Sequence, residues 1–296
     1  MTTAAPLRFA TLRAWVELAR LSNLPTTFTN VLVGVAVMTS EHSVEWSAIA
    51  FTWIAIACFY IAGMALNDLT DFTIDRIERP ERPIPSGRIS SHAATIFITT
   101  LFTIGLVCLG LRGWPPLACG FALTALIILY NLLHQRWAAS VLLMGLCRGM
   151  VYVVAAAAIA WPIDVRLVAW FGGTMSAYVI LLTIIARSEN AAQLDRRKWL
   201  SLLLPVICLL PLIALRPDQL ARPLVMAGAM IVWLFIAARF VLVRPPLTRH
   251  AVMAWLAGIC LIDAFYLMLL DQSAMALLAG ACFGLTLAAQ RFVSGT

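Results

Sequence analysis

Ten apolar runs, each of about 17 to 23 residues, divide the 296-residue chain: 20–39, 47–67, 92–112, 115–133, 138–160, 165–187, 199–215, 223–243, 250–270 and 274–292. Helices of that length cross the hydrocarbon core of a bilayer. No polar stretch between them is long enough for a soluble domain. The pattern predicts an all-α fold, a polytopic bundle of nine or ten transmembrane helices forming one integral-membrane domain over 1–296. The seventh run is short and is bounded by Pro205, Pro211 and Pro217, so it is expected to be kinked or re-entrant. Asp263 and Asp271 interrupt the last two runs.

Composition agrees with this pattern. The chain is 62% hydrophobic and 12% charged, against about 25% charged residues in a soluble domain. The net charge of +7 comes from basic residues of which 20 in 21 are arginine, placed mostly in short loops. That is a topology signal rather than a nucleic-acid surface, so the bilayer is the expected partner and nucleic acid is not. With the N-terminus inside, fifteen basic residues fall in inside segments and four in outside ones. This bias predicts a multi-pass protein of the cell (inner) membrane with both termini cytoplasmic. The N-terminus shows no secretory signal pattern. Seven cysteines lie within apolar stretches without a C-x-x-C pair, and are expected to be packing thiols.

The chemistry concentrates at the end of the second run, N-D-L-T-D-F-T-I-D-R-I-E-R-P-E-R-P-I-P-S-G-R over 67–88. Asn67, Asp71 and Asp75 are spaced i, i+4, i+8, which on a helix puts them on one face, with Asp68 beside them. Charges at a span end need a counter-ion or a site. Oxygen ligands of this kind suit Mg²⁺, which takes one or two carboxylates, keeps water and binds substrate phosphates. Arg76, Arg79, Arg82 and Arg88 follow or interleave, and Arg136 lies in a later loop on the same predicted side. Guanidinium forks match phosphate oxygens better than lysine does, so Arg82, Arg88 and Arg136 are the phosphate candidates. A second mixed-charge segment, R-S-E-N-A-A-Q-L-D-R-R-K over 187–198, follows the sixth run. Its position four spans on suggests two half-bundles presenting one site.

Within the spans, Asn23, Thr27, Asn30 and Gly34 share one face of the first helix. They either line a chamber or bond neighbouring helices. Arg148 lies inside Gly145-x-x-x-Gly149, a buried cation that needs an anionic partner or substrate. Tyr130 and Tyr152 offer rings to a cation, or simply pack. His134 has no second histidine at metal-ligand spacing and reads as an interfacial residue, while Asp263 and Asp271 read as local polar pairs.

The 67–88 segment resembles the UbiA superfamily of intramembrane prenyltransferases. The superfamily's N-D-x-x-D-x-x-x-D is matched by Asn67, Asp68, Asp71 and Asp75, and its R-P-x-P-S-G-R tail by Arg82, Pro83, Pro85, Ser86, Gly87 and Arg88. Span spacing is similar over roughly 15–200. The resemblance implies a helical bundle around a lipid-accessible chamber, Mg²⁺ held by aspartates, and transfer of a prenyl group from its diphosphate to a hydrophobic or aromatic acceptor. It also implies a site role for the Y-N-L-L-H-Q-R element from Tyr130 to Arg136 and for the polar first helix. The second loop departs from the superfamily's D-x-x-x-D, offering Glu189 and Asp195 as ligands.

These observations make Asp71, Asp75 and Glu189 the catalytic candidates and Asn67, Asp68, Asp71, Asp75, Glu189 and Asp195 the metal set. Arg82, Arg88, Tyr130, Arg136, Arg148, Asn23 and Asn30 are the substrate candidates. The expected activity is Mg²⁺-dependent prenyl transfer; the alternative is an isoprenoid- or lipid-binding relative that supports export or assembly. A CDP-alcohol phosphatidyltransferase lacks its D-G and A-R elements here, and a transporter would place its ionisable residues near the midplane. Prenyl length and acceptor identity are not legible.

Overall fold

The computed structural model describes residues 5–39, 46–188, 196–214 and 221–292. Glu189, Asn190, Gln193 and Asp195, the proposed second-loop residues and their neighbours, lie outside these. Among these described residues twelve α-helices follow in order: α1 (Ala5–Leu18), α2 (Leu24–Ala36), α3 (Trp46–Thr70), α4 (Phe72–Glu78), α5 (Ser91–Gly110), α6 (Trp114–Leu133), α7 (Ser140–Ala157), α8 (Val165–Ala186), α9 (Leu203–Leu209), α10 (Ala221–Leu242), α11 (Thr248–Leu269) and α12 (Ser273–Gln290). Among the described residues there is no strand. Among the described residues eight helices are long and apolar enough to cross a membrane: α3, α5, α6, α7, α8, α10, α11 and α12.

The two remaining apolar runs are helical but short. Run 20–39 becomes a 3₁₀ turn at Leu21–Asn23 and the 13-residue α2. At 1.5 Å per residue α2 extends about 20 Å, less than the core of a bilayer. The chain enters it through Pro25, which suits a first helical turn, where a missing N–H costs nothing. Run 199–215 divides into a 3₁₀ turn at Lys198–Leu202, α9 and a second 3₁₀ turn at Leu210–Ala214. Pro205 and Pro211 remove backbone donors there, as proline does within any helix.

Packing puts α2 inside and α11 beside it. α2 touches α3, α7, α11 and α12, and the outer helices follow the chain as neighbours: α3 with α5, α5 with α6, α6 with α7, α7 with α8, α10 with α11, α11 with α12. α11 is buried nearly throughout, around Trp255, Phe265 and Tyr266. α5, α6 and α12 instead turn Ile96, Val107, Phe121, Leu277 and Leu285 outward, the surface expected where lipid replaces a protein neighbour. Small residues permit the closest approaches. A Cβ on Gly34 would lie 2.6 Å from Ala155 Cβ and 2.8 Å from Tyr152 O, so α2 and α7 touch backbone to side chain. Ser90 caps α5 by accepting from Ala93 N, and Asp164 caps α8 by accepting from Leu167 N at 3.0 Å. All seven cysteines are free.

Candidate active site at one end of the bundle

The Asp-rich segment keeps its helical spacing across the α3–α4 junction. Asp71 N donates to Asn67 O and Asp75 N to Asp71 O, each at 2.9 Å. After Glu78 the chain reverses through residues 79–88, where Ser86 Oγ donates to Arg82 O and Gly87 adopts φ +75°. A left-handed φ of that size suits glycine at little steric cost. This reversal carries Arg82 back over the helix it has just left.

The acids then separate into two groups. Asp68 and Asp75, each 3% exposed, converge on one nitrogen of Arg82: Nη1 donates to Asp68 Oδ1 at 3.2 Å and to Asp75 Oδ2 at 2.6 Å. Arg20, arriving from the end of α1, adds a bond from Nη2 to Asp68 Oδ1 at 2.9 Å. Burial, the largest influence, pushes the Asp75 carboxyl above its usual range despite the charge and hydrogen bond of Arg82, and Asp68 and Asp71 act in the same direction as burial.

Asp71 instead faces the end of α6. His134 Nε2 lies 2.8 Å from Asp71 Oδ1, and Gln135 Nε2 donates to the same oxygen. Burial alone would raise the Asp71 pKa, but the bonds from His134 and Gln135 outweigh it and the group sits below its usual range. His134 moves the opposite way: the bond to Asp71 overcomes burial and raises it, so the pair favours imidazolium beside carboxylate. His134 Nδ1 is 3.0 Å from Asn131 O, which fixes the ring, and Tyr130 stacks on it at 5.3 Å between centroids. Asn67 Nδ2 is 3.5 Å from His134 Nε2. His134 is therefore no bystander at the interface, as its sequence context suggested; it holds an acid of the motif.

Two cavities meet at this cluster. One, of about 360 Å³, runs into the bundle between α2, α3, α6, α7 and α11. Arg20, Asn67, Arg79 and Arg82 stand at its polar end, with Ile56, Phe59, Leu123 and Ile127 on the apolar walls. The other, of about 1020 Å³, opens beside it and is lined by Arg13, Glu17, Arg88, Glu81, Asp68 and Arg249, among others. Arg20, Arg79, Arg82, Ala186 and Val252 line both. Ala186, at the end of α8, is where the second mixed-charge segment departs.

The predicted substrate residues divide accordingly. Asn23, Tyr130 and Arg148 line the inner cavity. Arg88 lines the outer one and is held by Glu17 Oε2 at 2.8 Å and Glu81 O at 2.6 Å. Arg136 is exposed and lines neither cavity. Asn30 is fully buried away from both; its Nδ2 donates to Tyr152 Oη at 3.0 Å and to Asp263 Oδ2 at 2.6 Å. Asp263 also accepts from Thr29 Oγ1 and Tyr152 Oη, each at 2.5 Å. The local polar pair expected for Asp263 is thus a three-helix junction of α2, α7 and α11. Arg20 is a site residue that sequence reasoning did not single out; Arg79 and Gln135 lay within the segments it named, without a role of their own.

Hard oxygen donors on Asn67, Asp68, Asp71 and Asp75 suit a magnesium ion. Asp68 Oδ1 and Asp75 Oδ2, which converge on Arg82 Nη1, accommodate a single cationic point, while Asp71 is turned toward His134. Among the described residues no three Asp, Glu, His or Cys side chains form a metal-binding group.

The family model of the UbiA prenyltransferase family matches residues 27–295. The chain belongs to that family. A digeranylgeranylglyceryl phosphate synthase from Sulfolobus acidocaldarius is 28% identical over 169 residues, covering 57% of this chain and 54% of its own. The Ignicoccus hospitalis protein of the same name is 37% identical over 119 residues, 40% of this chain and 38% of its own. The chain thus spans about half the length, or less, of these curated relatives. A UbiA homolog from Aeropyrum pernix K1 superposes with a TM-score of 0.62 at 16% identity, covering 88% of this chain and 96% of that one. A UbiA homolog from Archaeoglobus fulgidus bound to GPP and Mg²⁺ superposes at 0.60 and 10% identity, covering 93% and 99%. These likenesses extend the shared fold over nearly the whole bundle.

Proposed function

We propose that this UbiA-family chain transfers a prenyl group from a prenyl diphosphate to a hydrophobic acceptor, aromatic or lipidic, at the cytoplasmic face of a cell membrane. The observation that carries the reading is the apolar cavity with Asn67, Arg20, Arg79 and Arg82 at one end, Arg20 and Arg82 being held there by Asp68 and Asp75: a prenyl tail suits the walls and a diphosphate suits the end. The relatives named as digeranylgeranylglyceryl phosphate synthases, and the Archaeoglobus fulgidus homolog bound to GPP and Mg²⁺, support the same class of donor.

Asn67, Asp68, Asp71 and Asp75 would hold Mg²⁺, with Glu189 and Asp195 as the second-loop contribution. When bound, the ion supplies positive charge to the oxygens of the departing diphosphate. The protein's own contribution is electrostatic. Breaking the allylic C–O bond leaves its electron pair on the diphosphate, the new bond forms between that carbon and the acceptor nucleophile, and the proton the acceptor loses passes to the released diphosphate or to solvent. Arg20, Arg79 and Arg82 line the cavity end where this charge develops. Donors fixed in place before the reaction stabilise such charge without reorganising, usually the largest catalytic effect. Tyr130 and the apolar walls exclude water from the carbon left electron-poor.

The test is Asp71→Ala in purified full-length protein. Mg²⁺-dependent binding of labelled geranyl diphosphate should disappear while the protein remains folded; retained affinity would remove Asp71 from the site. Pyrophosphate release by wild type, with a lipid extract of host membranes as acceptor, separates a transferase from a protein that only binds isoprenoid.

A further inference from the structure

The polar end of the inner cavity accounts for a donor diphosphate, but it leaves one cation unexplained. Arg148 is the ninth residue of α7, so its Cα lies about 12 Å along the helix from Ser140. Ser140 marks the site-bearing end, because Arg187 at the end of α8 donates to its hydroxyl at 3.2 Å. The Arg148 side chain lines the inner cavity. Its Nη2 donates to Thr26 Oγ1 at 2.5 Å, and its buried Nε has no partner.

Asp263 is the nearby acid that a buried arginine would be expected to pair with, yet its oxygens are already engaged. Oδ1 accepts from Tyr152, and Oδ2 accepts from Thr29 and Asn30. Neutral donors thus satisfy Asp263, and Arg148 influences it only through space. A guanidinium with an unpaired nitrogen inside a membrane span is costly and is a mark of function. It is also rigidly aimed. A Cβ on Gly149 would lie 2.7 Å from Gly172 O, and one on Gly145 2.6 Å from Ser176 O, so α7 is pressed against α8 on either side of Arg148. Thr26 on α2 then fixes the fork from the opposite wall.

We infer that Arg148, oriented by Thr26, is the recognition site for a carboxylate or phosphate carried by the acceptor. This rests on the transferase reading above. The donor's diphosphate meets Arg20, Arg79 and Arg82 at the cavity end, and its hydrocarbon tail offers a guanidinium nothing. An anion at Arg148 must therefore come from the other substrate. Neutralising Arg148 in place gives that substrate a fixed depth and orientation, so its nucleophile is presented to the reacting carbon from inside the chamber. The cavity volume of about 360 Å³ limits the charged part to a compact group.

The experiment uses the full chain in lipid nanodiscs with saturating Mg²⁺ and geranyl thiolodiphosphate, a poorly cleaved donor analogue that keeps the cavity end filled. Decanoate, decyl phosphate and uncharged decanol are titrated in turn. Wild type should bind at least one anion about tenfold or more tightly than decanol, the scale of a charge-assisted hydrogen bond in a desolvated site. The decanoate and decyl phosphate arms distinguish carboxylate from phosphate. Arg148→Gln should bring the anion to within about twofold of decanol, and Arg148→Lys should restore part of the preference, with donor-analogue affinity unchanged in both. A preference that survives Arg148→Gln overturns the inference. So does an equal loss of donor-analogue affinity, which would assign the guanidinium to the diphosphate. Should Arg148→Gln not fold, Thr26→Val keeps the charge but removes its anchor; the anion should weaken about threefold with decanol unaffected, and an unchanged preference again overturns it. The anion and decanol titrations are repeated without donor analogue. A chain that binds no donor analogue refutes the transferase reading, while these titrations still decide the role of Arg148.

Discussion

Replacing Arg82 by alanine should destabilise the metal-free protein, and Mg²⁺ should restore what is lost. Arg82 is 13% exposed as a side chain, and its partners Asp68 and Asp75 are 4% exposed. Removing one member of a buried ion pair leaves the other uncompensated and costs about 3 to 5 kcal/mol. Arg20 still reaches Asp68, so the lower end applies, about 3 kcal/mol. At about 2 °C per kcal/mol for a chain of this size, Tm in EDTA should fall by roughly 6 °C. A cation bound only to the folded state stabilises by about 2.7 kcal/mol when present at a hundred times its Kd. Mg²⁺ should therefore return most of the loss to Arg82→Ala. Wild type should gain less, because Arg82 already neutralises the acids and competes with the ion. The assay is thermal unfolding in nanodiscs at pH 8, with EDTA or Mg²⁺, for both proteins. If the variant unfolds within about 1 °C of wild type in EDTA, or both gain equally from Mg²⁺, Arg82 is not the counter-ion that occupies the metal position.

Three further outcomes follow from the same geometry. Gly149→Ala should destabilise by about 1 to 3 kcal/mol, since the new Cβ meets Ser176 Oγ and lies 2.7 Å from the immovable Gly172 O; an unshifted melting curve would deny the close α7–α8 packing. In metal-free protein the His134–Asp71 pair should stabilise most between about pH 4 and 6.5. Asp71 lies below its ordinary 3.8, so its contribution is lost only as pH falls through that lower value; His134 lies above its ordinary 6.5, so its contribution fades as pH rises through the higher one. The Tm difference between wild type and His134→Gln should accordingly shrink from neutral to alkaline pH, and a widening gap would reverse the assigned charges. A cysteine placed at Ser86 in a cysteine-free background should react with a membrane-impermeant label only from the cytoplasmic side, as the arginine bias requires.

The position of the site was legible because its signal is local. Four polar residues at helical spacing, followed by an arginine-rich reversal, stand out in a chain with only 12% charged residues. Their partners were less legible. His134 reaches Asp71 across 63 residues, and Arg20 reaches Asp68 across 48. Both pairings depend on how apolar helices rotate about their own axes, and a helix that is hydrophobic on all sides carries little record of which face turns inward. The same limit hid the Asp263 junction, whose partners Thr29 and Asn30 lie more than 230 residues away. Spans were read by length and hydropathy, so the runs were found, eight of them as long helices and two, among the described residues, as shorter or broken ones. Proline explains the break in 199–215, where two donors are missing. In 20–39 the short α2 follows a 3₁₀ turn and packs within the bundle, an arrangement that hydropathy does not distinguish from a full span.

The balance of charge at the site-bearing end argues that its ion pairs are provisional. Six arginines and three carboxylates line the outer cavity, so the surface is positive overall even before the acids are counted as paired. Asp68 and Asp75 are nonetheless drawn onto one arginine rather than left to solvent. Buried ion pairs gain little net stability, because desolvating both charges consumes most of their attraction. Such a cluster is better suited to exchange than to holding a fold together. A polyanion entering between Arg20, Arg79 and Arg82 offers each guanidinium a bidentate partner, and a carboxylate released from Arg82 then needs a cation of its own. Diphosphate and divalent metal satisfy both demands when they arrive together; either alone leaves one side of the cluster unpaired. Binding of the two should for that reason be mutually strengthening, with the coupling passing through Arg82, which lines both cavities and bonds Asp68 and Asp75.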